Sequence, residues 1–122
     1  MAKLSMSTVK AKGRETENLF VSWLNSKFGM SAERRRLKGT QDEGDITGWD
    51  GVCVEVKSAS GSTVNITGWL RELSAEIQNS GADVGFIAAR PKGKPDPEDW
   101  YAIIPLPALV DLLMEHRNAP RD

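Results

Sequence analysis

Two residue types that carry chemistry in many enzymes are almost absent from this chain of 122 residues, which holds one cysteine, Cys53, and one histidine, His116. A single cysteine excludes a disulfide within the chain, the usual framework of small secreted domains. A single histidine, in the last turn of a predicted terminal helix, argues against a histidine-based triad or a zinc site. For Cys53 we expect inert packing rather than a catalytic thiol.

Long apolar runs are also absent, since none approaches the roughly 20 residues of a membrane span. The N-terminal sequence MAKLSMSTVK lacks the apolar core of a signal peptide. We therefore expect a cytoplasmic protein. No linker divides the chain, so we expect one domain over residues 1–122, with residues 1–12 as a flexible basic arm and residues 118–122 as a tail.

Charge is nearly balanced overall, at a net −1, but it is unevenly distributed. Residues 1–38 carry nine Lys or Arg and three Glu, whereas the rest carries seven basic and fourteen acidic residues. The balance argues against a general nucleic-acid coat protein, and the basic front end leaves a polyanion partner open.

A helix is predicted from about Glu15 to Phe28, where apolar residues recur with helical period before Gly29. A helical wheel turns Glu17 toward the apolar face and Glu15 toward water. An inward carboxylate needs a partner. Glu17 is thus either a capping or ion-pairing residue of the helix, or an acid at a metal site.

The stretch from Gly44 to Lys57, GDITGWDGVCVEVK, reads as a hairpin with a β-branched second arm. Strand alternation places Glu55 and Lys57 on one face and Val52, Val54 and Val56 on the other. A two-residue loop would set Asp45 opposite Val56, and a three-residue loop would set it opposite Glu55. We favour the three-residue loop, which brings two carboxylates roughly 4.5–5.5 Å apart at Cβ, where they can share a hard cation.

A basic cluster precedes this hairpin, in a segment that we interpret as a short edge strand, Ser31 to Lys38. Its cations, which are Arg34, Arg35, Arg36 and Lys38, either form a solvated edge or contact phosphates.

A second helix is predicted from Thr67 to about Asn79, followed by a buried strand, Val84 to Ala89. Gln78 either reaches a site at the sheet edge or is a solvated helix residue.

The C-terminal third is predicted to hold a loop from Arg90 to Asp99, a strand from Trp100 to Ile104 and a helix after Pro105. Lys92 and Lys94 in the loop either clasp DNA or merely lie in a connection. This order of elements favours a central mixed sheet with helices on both faces.

The pattern of Asp45, Glu55 and Lys57 resembles the PD-(D/E)xK nuclease signature, with Gly44 where the signature has proline. The chain also resembles small Holliday junction resolvases of archaeal and phage type in Lys12, Gly13 and Glu17 upstream and in the basic residues Arg34 to Arg36. It is similar to phage-encoded resolvase-like proteins of about this size in two segments, AERRRLKGTQDEGDITG and GWL…GADVGFIAARPKG. The likeness covers roughly residues 10–90.

This resemblance implies a restriction-endonuclease-like three-layer α/β/α core. It implies that Asp45, Glu55 and the Val56 carbonyl bind Mg²⁺, with Mn²⁺ as a substitute, that Glu17 completes the site, and that Lys57 orients or activates water. It also implies a homodimer acting on four-way DNA junctions in recombination, in a bacterial or phage-infected cell. The expected DNA-binding residues are Lys12, Arg34, Arg35, Arg36, Lys38, Lys92 and Lys94.

Three alternatives remain at the level of sequence. Glu55 and Lys57 can form an ordinary cross-strand ladder beside a turn at Asp45. The chain can be a non-catalytic DNA-binding module of the same fold. It can also be a nuclease that acts on duplex ends or flaps. Short acidic spacings alone do not separate these, because they recur by chance in charged chains.

Overall fold

The computed structural model describes residues 6–36, 42–59 and 64–120, with side chains from residue 11 onward. Within these ranges, three α-helices, a short 3₁₀ helix (Pro97–Asp99) and five strands form an α/β structure. The helices are α1 (Met6–Phe28), α2 (Ile66–Ser80) and α3 (Leu106–Asn118), and the strands are β1 (Glu33–Arg34), β2 (Ile46–Thr47), β3 (Val52–Ala59), β4 (Val84–Pro91) and β5 (Tyr101–Ile103).

The central sheet has three strands in the order β3, β4, β5. β3 and β4 are parallel, with Glu55 beside Ile87, and α2 forms the crossover between them. β5 returns antiparallel to β4, with Ile103 beside Ile87. The predicted mixed sheet is confirmed.

The two faces of β3 are covered by different helices. Val54 and Val56 pack with Phe20 and Leu24 of α1. Cys53 packs on the opposite face with Leu73 of α2, together with Ile87 and Ala89 of β4. Burying a side chain such as Leu73 contributes about 1.5–3 kcal/mol, so these two clusters hold both helices against the sheet. Helices on both faces were predicted, and α1 and α2 supply them.

Helix α3 takes no part in this core. None of its residues is buried, and Leu106 is 70% exposed. Its other large apolar side chains are also exposed: Leu109, Val110, Leu112, Leu113 and Met114. The apolar pattern predicted a helix correctly, but its apolar face has no cover within the described part of the chain.

The helix boundaries differ from the prediction at the N-terminal ends. α1 begins at Met6 instead of Glu15, so residues 6–12, predicted as a flexible arm, are its first turns. Those residues lack apolar periodicity, yet lysine and alanine have high helix propensity, which is sufficient to extend an established helix. α2 begins at Ile66 because Asn65, rather than Thr67, caps it: the Asn65 Oδ1 accepts a hydrogen bond from the Gly68 N–H at 3.0 Å.

The hairpin prediction was wrong in its pairing. β2 forms its ladder with β1, where Arg34 lies opposite Ile46, and not with β3. Gly48 explains the turn of the chain: its φ is 87°, and a Cβ there would lie 2.5 Å from the Ser31 carbonyl oxygen. The chain thus passes tightly against the segment before β1, a long-range contact that local patterns do not reveal.

No helix within the described ranges is long and apolar enough to cross a membrane.

Candidate active site

Asp45 is fixed against the free edge of β3 by two hydrogen bonds. Its backbone N–H donates to the Val54 carbonyl at 2.9 Å, and its Oδ2 accepts from the Val56 N–H at 2.7 Å. The carboxylate therefore lies beside the strand that carries Glu55, although neither predicted ladder register forms. A backbone N–H to a carboxylate is a strong, charge-assisted contact, so the position of Asp45 is well determined.

Gly44 permits this approach. Its φ is 98°, and a Cβ would meet the Cys53 Sγ at 2.9 Å and the Val54 carbonyl oxygen at 3.2 Å. Proline, which holds φ near −65°, does not fit this backbone. Glycine at position 44 thus has a local steric cause.

Glu55 and Lys57 share a face of β3, as strand alternation predicted. Glu55 is 5% exposed, and the Lys57 Nζ lies 3.4 Å from its Oε1. The same Nζ lies 3.1 Å from the Oε2 of Glu72 on α2. One ammonium group thus links a buried acid on the strand to an exposed acid on the neighbouring helix.

Glu17 faces the site from α1. It lines a cleft of about 690 Å³ together with Arg34, Arg35 and Asp45. Burial and the nearby Asp45 charge raise the pKa of Glu17 to about 7, although Arg34 partly opposes them. Glu15 is exposed, with its Oε1 3.5 Å from the Arg90 Nη1. The helical wheel was right about both residues.

The carboxyl groups of the site disfavour one another's ionisation. Burial, followed by interaction with Glu76 and Asp45, raises the pKa of Glu55. Burial is also the main reason why the pKa of Asp45 is raised, against the opposing bond from the Val56 N–H. Burial is likewise the main reason why the pKa of Glu76 on α2 is raised. Such mutual repulsion is relieved by protonation or by a cation.

The predicted DNA-binding residues fall into two groups. Arg34, Arg35 and Arg36 line the cleft that Glu17 and Asp45 share, and Arg35 pairs with Glu43 at 3.3 Å. The remaining described candidates are exposed but do not line this cleft: Lys12, Lys92 and Lys94. Lys38 lies outside the described residues.

Sequence reasoning missed two acids on α2, Glu72 and Glu76. Oxygen atoms of Glu72 and Glu76, with those of Glu55 and Asp42, all lie within 4.8 Å of one another. The signal was present, because Glu76 follows buried Leu73 by three residues and so lies on the same helix face. Gln78, the α2 residue singled out from the sequence, is exposed.

Cys53 and His116 do not contribute acid–base chemistry to this arrangement. Cys53 is 2% exposed, its Sγ donates weakly to the Glu43 carbonyl at 3.6 Å, and burial raises the pKa of its thiol to about 11. His116 is exposed on α3. Inert packing is the reading of Cys53 that this environment favours.

The chain has no match among the family models, the curated proteins or the solved structures with which it was compared. Its site is therefore interpreted from its own chemistry. Several carboxylates gathered beside one lysine and a group of arginines suit a hard divalent cation and a phosphate.

Proposed function

We propose that this chain is a metal-dependent endodeoxyribonuclease of the restriction-endonuclease-like fold that cuts branched DNA in the manner of a Holliday junction resolvase. The observation that carries the proposal is the placement of three side chains. The Val56 N–H holds the Asp45 carboxylate at 2.7 Å beside Glu55, and the Lys57 ammonium lies 3.4 Å from Glu55. An ordinary cross-strand ladder would not bury Glu55 to this extent.

The donor set fits Mg²⁺ or Mn²⁺, because its side-chain donors are carboxylate oxygens and the Oε2 of the buried Glu55 has no hydrogen-bond partner. Asp45 and Glu55 would hold the ion, with the Val56 carbonyl and Glu17 in support. When bound, the cation supplies charge neutralisation at the phosphoryl oxygens and a more acidic water.

The roles of the chain's own residues follow from their charges. Lys57 places a positive charge beside the acids, where it stabilises negative charge that develops on the phosphate and holds a water by hydrogen bonding. Arg34 and Arg36 at the cleft attract and position the phosphodiester backbone. Burial and the Asp45 charge raise the pKa of Glu17 to about 7, and a bound cation would favour its ionised form.

The test of function is a cleavage assay with the purified chain, Mg²⁺ and a mobile four-way junction. We expect symmetric cuts, and we expect Asp45→Asn and Lys57→Ala to bind the junction without cutting it. Asp50→Asn is the matched control, because Asp50 is exposed on the turn before β3. It should cut like the wild type.

The substrate panel separates the alternatives. Equal cleavage of linear duplex or flap DNA would remove the junction assignment and retain the nuclease. Binding without Mg²⁺-dependent or Mn²⁺-dependent cleavage of any DNA would leave a non-catalytic DNA-binding module.

A homodimer is part of the proposal, since two sites related by a twofold axis suit the two cuts of a four-way junction. The exposed apolar side chains of α3 support it. A run that includes Leu109, Leu112 and Leu113 is a surface that a second copy of the same helix would cover with matching apolar groups.

A further inference from the structure

Four carboxylates meet between β3, α2 and the loop before β2. Glu55 comes from the strand, Glu72 and Glu76 come from successive turns of α2, and Asp42 comes from the loop. The Asn79 Nδ2 donates to the Asp42 carbonyl at 2.9 Å, and the Gly44 N–H donates to the Asp42 Oδ1 at 3.0 Å. These bonds hold the loop acid over the helix.

Glu76 is the unusual member of this group. It is 1% exposed, and neither of its carboxylate oxygens has a hydrogen-bond partner. The Oε2 of Glu55, which is 5% exposed, also lacks a partner. An unpaired buried carboxylate is unfavourable unless a positive charge or a proton compensates it.

A shared proton does not satisfy this arrangement as well as a cation does. One proton between Glu55 and Glu76 pairs one oxygen of each residue and leaves the second Glu76 oxygen without a partner. A divalent cation accepts both oxygens of a carboxylate together with further oxygen ligands. Glu72 and Asp42 are exposed, so the outer side of the cluster remains open to water.

Lys57 alone does not neutralise the negative charge of the four carboxylates. Its Nζ contacts Glu55 and Glu72, and the structure gives it no contact with Glu76. The Asp45 Oδ2 is directed to the Val56 N–H, so Asp45 belongs to the neighbouring group with Glu17. Glu55 is the residue that the two groups share.

We propose that Glu76, with Glu55, Asp42 and Glu72, binds a divalent cation in a position on the α2 side of Glu55. The site takes a hard cation such as Mg²⁺ or Mn²⁺, because all its side-chain donors are carboxylate oxygens. The inference rests on the proposed function only for its role in cleavage; the binding itself needs no DNA. Glu76 is then a ligand that helps to place the cation against Glu55.

The experiment is a Mn²⁺ titration of the full chain without DNA, followed by the electron paramagnetic resonance signal of free Mn²⁺. Glu76→Gln should bind about tenfold or more weakly at this position, within the range seen when groups around a bound metal are removed. Glu115→Gln is the matched control, because Glu115 is exposed on α3, and it should bind like the wild type.

A second readout is thermal unfolding with and without Mg²⁺. The wild type should gain stability from Mg²⁺, and Glu76→Gln should lose most of that gain. Unchanged Mn²⁺ affinity in Glu76→Gln, with higher stability of the metal-free variant, would identify a proton-sharing acid pair and overturn the proposal.

A third variant covers failure of Glu76→Gln to fold. The double change Asp42→Asn with Glu72→Gln alters only exposed members of the cluster, and it should also weaken Mn²⁺ binding; unaltered affinity overturns the proposal. The outcomes remain separate from the nuclease assay. Mn²⁺ binding that depends on Glu76 without any DNA cleavage would remove the proposed function alone, and cleavage with Mn²⁺ binding independent of Glu76 would remove this inference alone.

Discussion

Glu17 illustrates how burial gives a single side chain a new titration range. Its pKa is raised from 4.5 to about 7, first by burial and then by Asp45. A carboxyl group with a higher pKa in the folded state binds its proton more tightly there. Its contribution to stability is therefore fully present below pH 4.5 and is lost as the pH rises to about 7.

From this we expect the melting temperature of the metal-free protein to fall between pH 5 and pH 7.5, and Glu17→Gln to flatten part of that fall. Melts in EDTA across this range check the prediction, because glutamine does not titrate. An identical slope in the variant would contradict it. Glu15→Gln, at an exposed position two residues away, is the matched control.

Cys53 should behave as a packing residue. Because its thiol is buried and has a pKa of about 11, a disulfide reagent at pH 8 should modify it slowly in the native protein and at once in guanidinium. Cys53→Ala should retain DNA cleavage. Rapid native labelling together with loss of cleavage in Cys53→Ala would instead point to a functional thiol.

At the residue level, patterns along one element were predictive. Alternation placed Glu55 and Lys57 together, and the wheel separated Glu17 from Glu15. Glu72 and Glu76 were missed for a physical reason, because an acid on an apolar helix face is visible to the wheel but its partners come from a strand and a loop elsewhere in the chain.

At the scale of elements, the turn into the site depends on Gly44. Gly44→Ala would hold a residue with a side chain at a positive φ and would place its Cβ against Cys53 and Val54. It should therefore destabilise the protein by roughly 1–3 kcal/mol. Chemical denaturation measures the change. Gly13→Ala is the matched control: it lies within α1 with nothing near its Cβ position, and it should stabilise by roughly 0.5–1 kcal/mol.

Equal effects of the two glycine substitutions would contradict this account of the turn. Loss of the Gly44→Ala protein to aggregation would agree with it, provided that Gly13→Ala remains folded.

The predicted hairpin shows that local sequence patterns identify strands but not the strands with which they pair. Its two arms were identified as strands, and both exist, but β2 pairs with β1 across a contact between Gly48 and Ser31. Which neighbour a short strand pairs with is decided by tertiary contacts. By contrast, the βαβ unit was predictable, since a helix between two apolar strands favours parallel pairing.

At the scale of the whole molecule, α3 is the helix whose apolar side chains do not pack into the core. We expect the purified chain to run as a dimer in light scattering coupled to size exclusion. Leu112→Glu combined with Leu113→Glu should give monomers, because charges on a covered apolar face lose their hydration. These residues are exposed, so the variant should keep the secondary structure of the monomer.

A monomeric wild type at micromolar concentration would contradict the dimer. Asp111→Lys, on the same helix and exposed, serves as a control for a general effect of charge change.

The mixed sheet with α1 and α2 on its two faces was predictable, because apolar patterns specify which elements need cover. The patterns did not predict that the apolar face of α3 is uncovered, or that four carboxylates from β3, α2 and the loop before β2 lie close together. Both depend on how the elements are arranged in space, and each was apparent only when the chain was folded.

One consequence concerns aggregation. β3 is an edge strand of its sheet. Asp45 donates its N–H to the Val54 carbonyl and accepts a hydrogen bond from the Val56 N–H, so it occupies backbone groups that would otherwise be open to another chain. Free strand edges are templates for self-association. Asn at position 45 retains an oxygen for the Val56 N–H, whereas Asp45→Ala exposes that N–H. The residue that we place in the nuclease site thus also protects an edge strand from pairing with other chains. Asp45→Ala should precipitate under conditions in which Asp45→Asn stays in solution.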